Sequence, residues 1–198
     1  AEAAGDLPAA KAAYSAMLGF PDMRLAGLKG LMQTALAEGD RAAAIRHAQS
    51  AYGQAKTARW AWRALLEERL EAGDWAAALD LVSGAQDRKI VSPIVADRTR
   101  AALLAASAAS FEQDPQEKLR AQAVDFALQS ARLKPDFAPG VVMAARLLAA
   151  DGKAGRAAGL IESAWKARPH PALWLAYRDL RTAETPRERA RRLAGLAA

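Results

Sequence analysis

The dipeptide Gly-Asp stands at positions 5–6, 39–40 and 73–74, so its glycines fall 34 residues apart each time. Self-similarity at a fixed period of about 20–50 residues means a stack of small repeated units, each contacting mainly its neighbours. Alanine follows each glycine at offset five (Ala10, Ala44, Ala78), and offset twelve holds Met17, Ala51 or Ala85. Gly152-Lys153 repeats the pattern with Ala157, Ala164 and a proline, Pro169, at offset seventeen. Pro135 marks the same point one period earlier, which places that repeat's turn at Lys118 and its offset-five alanine at Ala123. From Gly73 to Lys118 the distance is 45 residues, so one repeat carries an insertion of about eleven residues. It is expected near residues 111–117, where Glu-Gln-Asp-Pro-Gln-Glu interrupts the helical pattern.

A period of 34 is the length of a tetratricopeptide (TPR) helix-turn-helix unit. The spacing has a physical reading. The glycine takes the left-handed conformation that closes helix A, and the aspartate caps the first turn of helix B. Two small residues seven apart share one face of helix B, where they let helix backbones approach. Pro135 and Pro169 end their helices because proline lacks the amide donor. Composition agrees: 53 of 198 residues are alanine, a strong helix former and a poor strand former. The expected fold is all-α, a right-handed α-solenoid of TPR repeats forming a single superhelical domain over 1–198. Its repeats are an incomplete first one over 1–20, then about 22–56, 58–90, 93–135 with the insertion, 138–169 and 171–198. Helices are expected over 5–18, 22–37, 40–54, 58–72, 74–87, 93–110, 118–133, 138–150, 153–167, 171–183 and 186–197.

Several classes of chemistry are missing. There is no cysteine and only two histidines, so thiolate zinc sites, iron–sulfur clusters, cysteine nucleophiles and His-rich metal sites are out. No glycine-rich phosphate loop, nucleophile elbow or dinucleotide fingerprint occurs. A net charge of +6 permits an acidic partner, anionic lipid or nucleic acid and requires none of them. The sequence has no apolar run of about 18 residues and no signal-peptide pattern. It begins with Ala1 rather than Met, so an anchor upstream would lie outside this chain.

Three stretches go beyond a generic repeat. They are 20–28 (Phe-Pro-Asp-Met-Arg-Leu-Ala-Gly-Leu), 60–67 (Trp-Ala-Trp-Arg-Ala-Leu-Leu-Glu) running into Gly73-Asp74-Trp75, and Leu160-Ile161-Glu162 followed by Ala164-Trp165 and Pro169-His170-Pro171. In their order and phase they resemble the HemY-like TPR proteins associated with bacterial haem biosynthesis. That resemblance implies a non-catalytic scaffold whose partners are proteins or peptides, tetrapyrrole-pathway enzymes among them. It also implies a full-length protein held at the bacterial inner membrane by an N-terminal anchor, with this domain soluble on the cytoplasmic side.

Candidate binding residues follow from phase. Offsets −13, −10 and −6 from the turn glycine should face the concave groove lined by the A helices. These are Ala26, Lys29 and Gln33, then Trp60, Arg63 and Glu67, and later Pro139, Val142 and Arg146. Lys29, Arg63 and Arg146 make the surface partly basic, and Trp60 is either a groove anchor or a packing residue. Gln33 and Trp60 depart from the Lys/Asn pattern of TPR domains that clamp a C-terminal carboxylate. Trp62, Trp75 and Trp165 read as core packing. No cofactor is required. The alternative function is haem or porphyrin handling, with His170, His47 or Tyr177 as axial ligand, beside the plainer reading of two lone histidines and a structural Pro-His-Pro turn. The densest basic stretch (Arg178, Arg181, Arg187, Arg189, Arg191, Arg192) reads as a solvated terminal helix, with anionic lipid or an acidic partner as alternatives. Nucleic acid is disfavoured because no recognition motif is present.

Overall fold

The computed structural model describes residues 6–55, 58–181 and 184–197. Gly5, the first repeat glycine, lies outside them, as do Thr182 and Ala183. Among the described residues the fold is all-α, built from tetratricopeptide-type helical hairpins. The helices are α1 (Leu7–Met17), α2 (Arg24–Ala37), α3 (Arg41–Gln54), α4 (Arg59–Glu71), α5 (Trp75–Asp87), α6 (Pro93–Phe111), α7 (Glu117–Leu133), α8 (Ala138–Ala150), α9 (Ala154–Ala167), α10 (Pro171–Asp179) and α11 (Pro186–Ala197). They divide into two compact units, Ala1–Ala96 and Asp97–Ala198, with the division falling inside α6.

The Gly-Asp pairs do two jobs at each three-residue turn. Gly39, Gly73 and Gly152 have φ of 78°, 67° and 74°, the left-handed region that a side chain penalises. Each closes a Schellman turn: the next residue's amide donates to the carbonyl five back, Asp40 to Ala35 (2.8 Å), Asp74 to Arg69 (2.9 Å) and Lys153 to Leu148 (2.8 Å). The aspartate then caps the following helix. Asp6, Asp40 and Asp74 accept from the amides of Ala9 (3.0 Å), Ala43 (2.8 Å) and Ala77 (3.1 Å). Lys153 makes no such cap, so α9 starts without one. Lys89 forms the same kind of turn after α5 without glycine: its φ is 59°, and Ile90 donates to Ala85 at 2.8 Å.

The B helices pack through the predicted small residues. At offset five, Ala10, Ala44, Ala78, Ala123 and Ala157 are at most 3% exposed. At offset twelve, Ala51, Ala85, Ser130 and Ala164 are at most 2% exposed, while Met17 is half-buried. In the first unit the core gathers Leu28, Met32, Ala48, Ala61 and Leu65. In the second it gathers Ala127, Val141, Leu148, Ile161 and Leu173. Close approach is tightest where α7 meets α8. A Cβ on Gly140 would lie 2.2 Å from Ser130 Oγ, and that hydroxyl donates to Ala101 O at 2.7 Å.

Two sequence expectations shift. The extra residues are mostly helix rather than loop: α6 has 19 residues and α7 has 17, against 13 or 14 in α2 to α5, α8 and α9. Lys118 is therefore the second residue of α7 and not a turn. The turn lies just before it, where the Arg120 guanidinium donates to the carbonyls of Asp114 (2.7 Å) and Pro115 (2.8 Å). Helix α10 stops at Asp179 instead of reaching 183. Its last carbonyls, Tyr177 O and Arg178 O, are taken by the Arg192 guanidinium from α11, which closes the helix in place of another turn.

Candidate functional site

The predicted groove residues divide between the two units. In the first, Ala26, Lys29 and Gln33 are exposed along α2. On α4, Arg63 and Glu67 are exposed one turn apart, with Arg63 Nε 4.0 Å from Glu67 Oε1. Trp60 is half-buried and packs against the core formed with Leu28, Ala48 and Leu65, so much of its ring is part of the wall. Trp62, Trp75 and Trp165 are also half-buried; the indole Nε1 of Trp62 is buried without a hydrogen-bond partner.

In the second unit Arg146 is no free cation. Its Nη1 and Nη2 bind the two carboxylate oxygens of Glu112, the Nη2 contact at 2.5 Å, and Nη2 also lies 3.1 Å from Met143 Sδ. The pairing holds the Glu112 carboxyl below its ordinary pKa and raises that of Arg146, hydrogen bonding being the largest cause in both. Val142 and Arg146 nonetheless reach one cavity. It has a volume of about 380 Å³ and lies between α8 and α10, which pack together. Val142, Ala145 and Ala149 form one wall. Ala172, Leu175, Ala176 and Leu180 form the other, and Arg146 and Asp179 are the charged residues among the described lining. Pro139 is exposed in the first turn of α8 and does not line the cavity.

The α10 wall was missed at the level of sequence, yet the signal was there. One period after Gly152 falls Pro186, and offsets −10 and −6 from it are Ala176 and Leu180. Leu175 adds an aliphatic side chain in a residue 45% exposed, and its neighbour Trp174 is 36% exposed with the Arg178 guanidinium 5.8 Å from its ring. Asp179 is paired with Arg178, whose Nε donates to it at 2.6 Å.

The three haem-ligand candidates have other occupations. His170 is exposed and caps α10, its Nδ1 accepting from the Ala172 amide at 3.1 Å. His47 is half-buried on α3, and burial, then Arg46 and Lys11, lower its pKa. Tyr177 is buried and donates its hydroxyl to Glu162 Oε1 at 2.5 Å. Burial, followed by that carboxylate, raises the pKa of the phenol, which disfavours the phenolate that ligates iron. Among the described residues no group of three or more His, Asp or Glu side chains is placed to hold a metal ion.

Much of the C-terminal positive charge is used internally. Arg192 pairs with Glu184 through two contacts of 2.7 Å, and its guanidinium lies 4.6 Å from the Tyr177 ring centre. Arg178 pairs with Asp179, and Arg181 lies 3.8 Å from Glu184. Arg187 and Arg191 remain exposed on α11, while Arg189 is half-buried with its Nε unpartnered. No helix among the described residues is long and apolar enough to cross a membrane.

No protein-family profile matches this chain, and no curated protein does. Among solved structures it is similar to two of MamA, each with a TM-score of 0.48, at 17% and 18% identity. Those alignments cover 83% of this chain and 90% and 84% of theirs. It is also similar to TTC0263, a thermophilic TPR protein of Thermus thermophilus, with a TM-score of 0.40 and 16% identity over 87% of this chain and 98% of that one.

Proposed function

We propose that this chain is a non-catalytic binding scaffold that holds a segment of a partner protein in the cleft between α8 and α10. The observation that carries this reading is the cleft itself: a concave, aliphatic-walled cavity of about 380 Å³ between consecutive A helices, with Leu175 standing 45% exposed at its wall. Small concave apolar sites with a few polar groups are where proteins take ligands, and stacked helical hairpins present such surfaces repeatedly.

The narrower reading has tetrapyrrole-pathway enzymes as partners, at a bacterial inner membrane reached through an anchor outside this chain. It rests on the sequence resemblance alone. The haem-handling alternative gains no support from the surroundings of His170, His47 or Tyr177. A Soret titration of the chain against His170→Ala tests it: a shift lost in the variant favours haem, and an unchanged one means adsorption.

The scaffold reading is tested by affinity capture from detergent-solubilised bacterial membranes, with the chain and its Leu175→Glu variant as baits. Selective recovery of proteins by the first and not the second supports the cleft. Equal recovery by both, with helicity unchanged, would move the partner surface elsewhere.

A further inference from the structure

The chemistry of the α8/α10 cleft says which kind of segment it accepts, and this inference rests on its being the partner site. Its walls carry aliphatic side chains from both helices. The two charged residues at its edge are each neutralised by a neighbour that does not line the cavity. Arg146 places its guanidinium on both oxygens of Glu112, whose side chain is only 16% exposed. Asp179 receives the Arg178 guanidinium at 2.6 and 2.9 Å.

An entering carboxylate would have to take Arg146 from Glu112. That exchange breaks two charge-assisted hydrogen bonds and leaves a largely buried carboxylate unpaired beside a second negative charge. Asp179 and Arg178 form an exposed pair, with 62% and 42% of their side chains open to water, so this edge adds little for or against charge. An uncharged apolar side chain breaks neither pair and removes aliphatic wall from water. The volume sits near the lower end for ligand sites, room for one or two large side chains rather than a folded surface.

We propose that this cleft binds its partner segment through one or two large, uncharged apolar side chains, and that a carboxylate tail is not its ligand. The electrostatic match is between a charge-balanced groove and a neutral segment. The Arg146–Glu112 pair holds the α8 edge of the cleft and keeps Arg146 from an incoming carboxylate.

The test is fluorescence anisotropy of the whole chain with three short probe peptides. The first is end-capped and uncharged, with two leucines four residues apart. In the second, glutamines replace both leucines. The third ends in two aspartates and a free carboxylate. The leucine peptide is expected to bind best, at least tenfold tighter than the glutamine peptide. Its affinity should change less than about twofold between roughly 50 and 500 mM salt. Leu175→Gln should weaken it roughly tenfold; Leu175 is 45% exposed, so the variant keeps its fold. Tightest binding of the acidic peptide, falling steeply with salt, would overturn the proposal and leave the scaffold reading standing. Leucine-peptide binding that is unaffected by Leu175→Gln would overturn both. Failure of all three probes, while Leu175→Glu still abolishes protein capture, would overturn the proposal alone.

Discussion

Replacing Gly140 by alanine should destabilise the second unit, although helix propensity alone says the opposite. Alanine is favoured over glycine in a helix by about 1 kcal/mol. Gly140, however, lies in the first turn of α8, where it faces Ser130 on α7. The added Cβ would sit 2.2 Å from Ser130 Oγ, 3.1 Å from Ser130 Cβ and 3.2 Å from Phe137 Cδ1. Rotating the hydroxyl away relieves the shortest contact but breaks its 2.7 Å bond to Ala101 O and strands a fully buried group. That costs about 1–3 kcal/mol. The Cβ–Cβ contact stays, and overpacking of this kind costs about 1–3 kcal/mol more. With the propensity gain subtracted, the net loss is about 1–5 kcal/mol. For a unit of this size that is a fall in Tm of roughly 4 °C at the least. Thermal unfolding followed by far-ultraviolet circular dichroism reads it directly. Adding Ser130→Ala should recover at least about 1 kcal/mol, because the clash and the stranded hydroxyl share one atom. An unchanged or raised Tm in Gly140→Ala would show that α7 and α8 do not approach this closely.

The turn chemistry and the Glu112 pair give three more tests. Asp40→Ala removes the acceptor for the Ala43 amide and should cost about 1 kcal/mol by urea denaturation, with Asp40→Asn recovering most of it. Lys153→Asp supplies the cap that α9 lacks and should stabilise by about 0.5–1 kcal/mol, since the Lys153–Asp151 pair it removes is half exposed and worth little. The third concerns pH. The Arg146 hydrogen bonds hold folded Glu112 below its ordinary 4.5, so the pair stabilises the fold above the unfolded pKa and loses that contribution as pH falls through the folded value. Tm of the native chain should therefore drop more steeply below about pH 4.5 than that of Glu112→Gln; parallel curves would remove Glu112 from the acid transition.

The repeat was legible because it is written in residues whose backbone conformation or size is their function. Glycine at a left-handed position and aspartate at a helix start are local requirements, so 39–40 and 73–74 read correctly without tertiary information. The offset-five and offset-twelve alanines followed from helix geometry. Lys118 misled because the proline at 135 fixes only where α7 ends, whereas its start depends on how far packing extends the helix. The end of α10 depended on Arg192, thirteen positions beyond Asp179 in sequence. At the candidate site, phase put Val142 and Arg146 among the groove candidates, and both line the cavity between α8 and α10. Phase had no means of showing that Arg146 is committed to Glu112, a long-range pairing that turns a predicted basic groove into a charge-balanced one. For the same reason Arg146→Glu is a poor probe of binding: it sets two carboxylates face to face, whereas Leu175→Glu perturbs the cleft without a buried pair.

The most direct measurement is an amide chemical-shift titration of the isotopically labelled whole chain with the uncharged leucine peptide. The cleft account predicts perturbations concentrated between residues 142 and 149 on α8 and between 172 and 180 on α10. Perturbations centred instead on Lys29, Gln33, Arg63 and Glu67, or none at any peptide concentration, would contradict it.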